Sequence, residues 1–237
     1  MNWMKKVAVA LVCLLPLGLQ AAKVDTLQVK SPSMNKSIEV VVVSPDMAAT
    51  EACPVIYLLH GYGGNARTWV GIKPDLPKIA DEKGIFFVCP DGKNTWYWDS
   101  PLNADVRYET FISDELVKYV DSHYKTVADR KGRAITGLSM GGHGAMWNGL
   151  HHSDVFSAAG STSGGVDIRP FPKNWEMSVQ IGEKAKYPEN WEKYTVINLV
   201  PTLRKDQIAL IFDCGDSDFF LEVNTVSYTH LTLPTKL

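Results

Sequence analysis

Residues 137–141 read G-L-S-M-G, a serine between two glycines that fits the G-x-S-x-G turn through which a strand feeds a helix. A hydroxyl displayed on such a bend can attack an acyl carbonyl, and glycines beside it relieve the clash that side chains would add to a strained backbone. The pentapeptide alone is a weak signal, but its setting strengthens it. Arg133, Ala134, Ile135 and Thr136 read as the entering strand, while Gly142, Gly144 and Ala145 keep the following helix thin where it packs on a sheet. Upstream, residues 60–64 read H-G-Y-G-G directly after the apolar run V-I-Y-L-L. Attack on an ester gathers negative charge on the former carbonyl oxygen, and preorganised N–H groups stabilise it. The donors expected here are the backbone N–H groups of Tyr62 and Met140. By itself H-G-Y-G-G reads equally well as an ordinary glycine-rich turn, and only its pairing with the serine motif favours the anion-binding role.

A third stretch, D-C-G-D-S-D-F-F at 213–220, follows the apolar run Q-I-A-L-I-F. An acid that orients a histidine beside a nucleophilic serine belongs just beyond a strand end. Asp218 fits that position best; Asp213 is expected in the strand terminus, and Asp216 in the turn or as a helix cap.

These stretches need a scaffold, and the pattern around them supplies one. Residues 37–43, 54–59, 85–88, 133–137 and 207–212 are short apolar or β-branched runs ending near Gly, Pro or Asp, which predicts strands. Residues 108–124 place Phe111, Leu116, Val117 and Val120 at helical spacing, and 140–150 predict a second helix. Strands alternating with helices imply an α/β fold with a mostly parallel sheet covered on both faces. Residues 169–194, rich in Pro, Trp and Lys, read as an insertion forming a cap beside the site. With 237 residues, 45% hydrophobic and 21% charged, the chain has the balance of a globular protein of one large or two small domains. A formal net charge of −2 with no long basic run excludes a nucleic-acid partner of the usual basic kind.

Both ends read differently from the middle. Lys5 and Lys6 precede an apolar run over 7–19, broken by Pro16, and Ala21 and Ala22 follow; this is the pattern of a cleavable export signal, residues 1–21. The run is short for a spanning helix, which needs about 20 apolar residues, so export without stable membrane insertion is expected, periplasmic or extracellular, with an uncleaved anchor as the alternative. Cleavage removes Cys13 and leaves Cys53, Cys89 and Cys214, an odd set beside apolar runs that reads as small buried hydrophobes rather than disulfides. At the other end, residues 226–237 read V-S-Y-T-H-L-T-L-P-T-K-L without a clear helical or alternating pattern. The string resembles the conceptual translation of a transposon-derived sequencing adapter, so a non-native tail after residue 225 is expected.

Together H-G-Y-G-G, N-T-W-Y-W-D-S-P, Y-E-T-F, G-L-S-M-G-G-H-G-A and D-C-G-D-S-D-F-F resemble the esterase family of α/β hydrolases that includes feruloyl and acetyl xylan esterases, S-formylglutathione hydrolase and the antigen 85 mycolyltransferases. The resemblance spans about 35–225. It implies the α/β-hydrolase fold, Ser139 as nucleophile, Asp218 as acid, the N–H groups of Tyr62 and Met140 as oxyanion donors, and no metal or organic cofactor. In that family the histidine base follows the acid after a further helix and strand, and a last helix closes the chain. Here the last strand and helix have no room, and His230 falls in the adapter-like string. His60 belongs to the oxyanion turn, His123, His151 and His152 fall at helix ends, and His143 reads as a core residue. The chain is therefore expected to be inactive or nearly so, and its full-length parent to be an exported esterase acting on a small-molecule or polysaccharide ester, with acetyl or feruloyl esters of carbohydrates the expected class. Trp96 and Trp98 are candidates to stack on a sugar or aromatic acyl group, with Tyr108 nearby; loop packing is the equal alternative. Two further readings stay open: acyl transfer to a sugar, and a noncatalytic carbohydrate-binding protein on a hydrolase scaffold. The sequence carries no marker of oligomeric state.

Overall fold

The computed structural model describes residues 22–232, with side chains to Val226; the expected export signal lies outside the described residues. Nine-residue strands β1 (Lys23–Ser31) and β2 (Lys36–Ser44) form an antiparallel pair, and β2 runs antiparallel to β4 (Phe86–Pro90). From there β3 (Val55–Leu59), β5 (Arg133–Gly137), β6 (Ala158–Thr162) and β7 (Ala209–Asp213) are all parallel, giving the order β1-β2-β4-β3-β5-β6-β7. The mostly parallel α/β sheet expected from the sequence is the one observed. The sequence reading leaves β1 and β6 unassigned: β1 is a half-exposed edge strand, and β6 is A-A-G-S-T, poor in the residues that favour strands.

The β-branched run of β2 shows why the sheet needs two layers of cover. Val40 and Val42 enter one core with Tyr57, Leu59, Val88 and Ile135, while Val41 and Val43 enter a second with Leu58, Leu76, Ala80 and Phe87. Alternate side chains point to opposite faces, so an uninterrupted apolar run marks a strand buried on both. The smaller core lies under α1 (Thr68–Ile72) and α2 (Leu76–Lys83), which link β3 to β4. The larger lies under the stretch linking β4 to β5 and under α5 (Met140–His151).

The β4–β5 helical stretch is α3 (Tyr108–Thr110), a π-helical turn (Phe111–Glu115) and α4 (Leu116–His123), continuous through right-handed helical backbone at each junction. The single helix expected over 108–124 is therefore present with a wide turn inside it. Past β6 the chain forms two short helices, α6 (Met177–Ile181) and α7 (Pro188–Lys193), in the segment expected to be an insertion, and after β7 comes α8 (Leu221–Thr232). The helix α8 runs through the first residues of the adapter-like string despite their lack of periodicity.

Cover is uneven. Opposite α5, the sheet face lined by Ile56, Ala134, Ala158, Gly160, Ala209 and Ile211 is an open groove of about 340 Å³, and Ile211 is 75% exposed. Cys53 and Cys89 are free and buried as expected, whereas Cys214 is half-buried and accepts the Ser163 hydroxyl at 3.8 Å.

Candidate active site

Ser139 stands between β5 and α5 with φ 57° and ψ −117°, a left-handed conformation that a β-substituted residue holds only under constraint. The constraint is close packing. A Cβ on Gly137 would lie 2.3 Å from the Gly141 carbonyl oxygen, and a Cβ on Gly141 would lie 2.2 Å from the Leu59 carbonyl oxygen, so only glycines allow strand, bend and helix to approach this closely. The Ser139 N–H donates to Thr162 O at 2.9 Å, and its carbonyl accepts the His143 N–H at 3.0 Å. Its side chain remains partly exposed at the N-terminus of α5. Met140 is the first residue of that helix, and its N–H has no intrahelical acceptor.

The 60–64 turn lies against this bend. A Cβ on Gly61 would meet Ser139 Cβ at 3.5 Å. His60 is buried and fixes the turn from beneath: its Nε2 accepts the Gly92 N–H at 2.9 Å, which leaves Nδ1 to donate to Gly61 O at 2.8 Å, and its carbonyl accepts the Tyr97 hydroxyl at 2.9 Å. From above, Asn94 Oδ1 accepts the Gly63 N–H at 2.9 Å, and Asn94 Nδ2 donates to Glu176 at 3.3 Å. The Tyr62 phenol, 37% exposed, has its pKa raised by partial desolvation and by the Glu176 carboxylate beside it. With the Gly63 and Gly64 amides engaged, the N–H groups of Tyr62 and Met140 donate to no protein acceptor among the described residues. Two free amides beside a displayed hydroxyl, one at a helix N-terminus, form an arrangement that accepts a developing anion.

The third stretch approaches through β6. Ser163 N–H donates to Asp213 O at 2.8 Å, so the strand end that takes the Ser139 amide also carries the 213–220 loop. Asp213 ends β7, exposed, with a 3.4 Å contact to the Thr162 hydroxyl; Asp216 is exposed and accepts the Ser217 hydroxyl at 3.3 Å. Asp218 is partly buried, and its Oδ1 accepts the Phe220 N–H at 2.7 Å, which orients the carboxylate and leaves Oδ2 without a protein partner among the described residues.

No hydrogen bond joins an imidazole to Ser139 among the described residues. His143 is buried, accepting the Trp98 indole N–H at 2.9 Å and donating to Gly165 O at 2.8 Å. Burial lowers its pKa to about 4, against the opposing pull of the Gly165 hydrogen bond, so it is a neutral core residue. His151 bonds Trp147 O, His152 pairs with Glu109, and His123 bonds Tyr119 O. The side chain of His230 is outside the described residues.

One sequence expectation is corrected. Trp96 and Trp98 are 1% and 0% exposed, so neither can present a face to a substrate. Their rings stack on each other 5.5 Å apart and meet His143 edge-on, and Tyr108 is buried too. Indole rings with a buried N–H partner are core material, and the pattern W-Y-W alone does not say which way the loop faces. An aromatic side chain that does reach the surface here is Phe219, beside Asp218, stacked at 5.4 Å on the partly buried Trp175 of the expected cap. Sequence reading missed Asn94 and Glu176 as well. Asn94 sits inside the quoted N-T-W-Y-W string and could have been singled out there; Glu176 had no local signal.

The chain is similar to known proteins over most of its described length. Esterase Rv1288 of Mycobacterium tuberculosis is 30% identical over 149 residues, 60% of this chain and 32% of that protein. The acetyl esterase of Caldicellulosiruptor saccharolyticus is 31% identical over 108 residues, 45% of this chain and 40% of that protein. The chain thus spans about a third of the curated relatives it matches first. A solved ferulic acid esterase superposes with a TM-score of 0.72 at 29% identity, covering 90% of this chain and 86% of that one. The family model described as "Putative esterase" matches residues 31–234, and this chain, with an α/β-hydrolase fold, belongs to that esterase family.

Proposed function

We propose that this chain is the body of an exported serine esterase that hydrolyses carboxylic esters, acetyl or feruloyl esters of carbohydrates, through an acyl-enzyme. The observation that carries the reading is the constrained Ser139, at φ 57°, beside the two uncommitted amides of Tyr62 and Met140. Ser139 Oγ attacks the acyl carbonyl, the amides receive the oxyanion, the alcohol departs, and water releases the acid. Asp218, its carboxylate steered by the Phe220 N–H, orients and supports the imidazole that takes the serine proton. Each described imidazole is bonded elsewhere, so the base that takes the serine proton is placed outside the described residues. The Lys5–Lys6 pair ahead of an apolar run and small residues supports export.

A fluorophosphonate probe on the complete gene product, which supplies the base, tests the serine: it is expected to label that protein and not its Ser139→Ala variant, and equal labelling of both would reject the mechanism. Acetate and ferulate release from esterified oligosaccharides then separates the two acyl groups. The same committed imidazoles favour a second reading, a noncatalytic carbohydrate binder, for which tight oligosaccharide binding without labelling is the signature. Transfer to a sugar is the third; added sugar acceptor would then divert the acyl group from free acid to a new ester.

A further inference from the structure

We propose that Phe219, backed by Trp175, is a stacking platform for a neutral sugar ring of the ester's alcohol, with Glu176 beside it as acceptor for the ring's hydroxyls. The proposal rests on the esterase reading for its place in the reaction, but not for the binding itself.

Phe219 is 63% exposed, unusual for a ring whose other face is already stacked on an indole. Trp175 is in turn held by Phe171 at 5.4 Å and Phe220 at 5.2 Å, and its carbonyl accepts the Trp96 indole N–H at 3.1 Å. The exposed ring is therefore mounted on a partly buried aromatic stack anchored by the buried Phe220, rather than loose on the surface. Its position is bound to the site at both ends. Phe219 follows Asp218 directly, and Trp175 precedes Glu176, which lies beside the Tyr62 phenol of the oxyanion turn and accepts from Asn94, the residue that holds that turn at Gly63. The platform thus bridges the loop of the candidate acid and the loop of the oxyanion donors. Trp175 and Glu176 both hold positive φ, 48° and 54°, an unfavourable conformation for two consecutive non-glycine residues.

The chemistry selects a sugar over an aromatic acyl group. A flat acyl ring gains most from a slot that takes both its faces from water, as ligand pockets generally do. Here one face is offered and the other side is open. A pyranose has one C–H face to lay on an aromatic ring and an equatorial rim of hydroxyls, and the rim meets the Glu176 carboxylate. That carboxylate and the neighbouring Asp216 and Asp218 also disfavour an anionic sugar.

The test uses the chain as it exists and an unacylated ligand, so no turnover is required. Neutral hexasaccharides of xylose, glucose and mannose, and separately free ferulate, are titrated against wild type, Phe219→Ala and Glu176→Gln by calorimetry. At least one hexasaccharide is expected to bind, with affinity about tenfold weaker in Phe219→Ala, roughly 1.4 kcal/mol, and a few-fold weaker in Glu176→Gln, both variants keeping the wild-type melting temperature within about 2 °C. Equal affinity in wild type and Phe219→Ala, binding of ferulate alone, or binding of none of the ligands overturns the proposal. Fluorophosphonate labelling of Ser139 in the complete gene product, which supplies the base, separates the two readings. Labelling without hexasaccharide binding removes the platform and leaves the esterase; Phe219-dependent binding without labelling removes the esterase and leaves the platform.

Discussion

The two halves of the candidate site are built by different means. The serine half, β5, the bend, α5 and the 60–64 turn, is fixed by backbone packed on backbone: the Leu59 carbonyl touches where a Gly141 side chain would be, and His60 and Tyr97 tie the turn down from within the core. The acid half, β7 and the 213–220 loop, leans outward, with Ile211 75% and Phe219 63% exposed and Asp218 held by a local bond to Phe220. On the proposed reading, the geometry needed for every acyl substrate is placed where the fold leaves no freedom, and the contacts able to vary with the alcohol sit where side chains can change at little cost to the fold.

Substitutions graded from core to surface would break or sharpen that contrast. Gly141→Ala forces a methyl group onto the Leu59 carbonyl at 2.2 Å and is expected to destabilise the chain by about 3 kcal/mol or more, lowering the melting temperature by roughly 6–12 °C; a shift under about 2 °C would mean that the bend tolerates a side chain. Trp98→Phe removes the indole donor to His143 and leaves a void in the core, with an expected loss of about 2–3 kcal/mol in urea unfolding. If Trp98 instead faced solvent, that loss would be near zero.

Acid should weaken the serine half next. His143 titrates at about 4 when folded and near 6.5 when unfolded, so between those values the unfolded chain binds the extra proton. The stability it contributes is complete above pH 6.5 and is lost as pH falls toward 4, about 2 kcal/mol of it between pH 7.5 and 5. Urea unfolding at the two pH values measures this, and a His143→Gln variant should lose most of the difference. The smallest effect belongs to the acid half: Ile211→Ala is expected to cost less than about 0.5 kcal/mol by the same assay, against about 2–5 for a buried isoleucine. A larger cost would show that β7 is packed as tightly as β5.

The same contrast explains what could be read in advance. G-L-S-M-G and H-G-Y-G-G are legible because their roles follow from backbone conformation, and glycine placement is written locally in the chain. The two-faced valine run of β2 is legible for a similar reason, since burial on both sides leaves no polar alternation. By contrast, β6 is a strand because α5 and its neighbours press on it: a Cβ on Gly149 would come within 2.5 Å of Ala159, so small residues are required where propensity argues against a strand. Trp96 and Trp98 misled because an aromatic side chain looks the same in sequence whether it faces a ligand or the core. Their indole partners are the His143 nitrogen, 45 residues from Trp98, and the Trp175 carbonyl, 79 residues from Trp96, which no local pattern announces.

The wide turn at Phe111–Glu115 carries its own implication. A π-helical turn is a helix accommodating one surplus residue, and here the Ser113 hydroxyl donates to the Glu109 carbonyl at 2.6 Å while the Glu109 carboxylate still accepts the Trp147 indole N–H. Because the surplus is absorbed locally, the residues on either side keep the angular phase of an uninterrupted helix one residue shorter. Excising Ser113 should therefore restore regular winding without turning Leu116, Val117 and Val120 away from the sheet, which makes this helix a place where chain length can change while the fold stays the same.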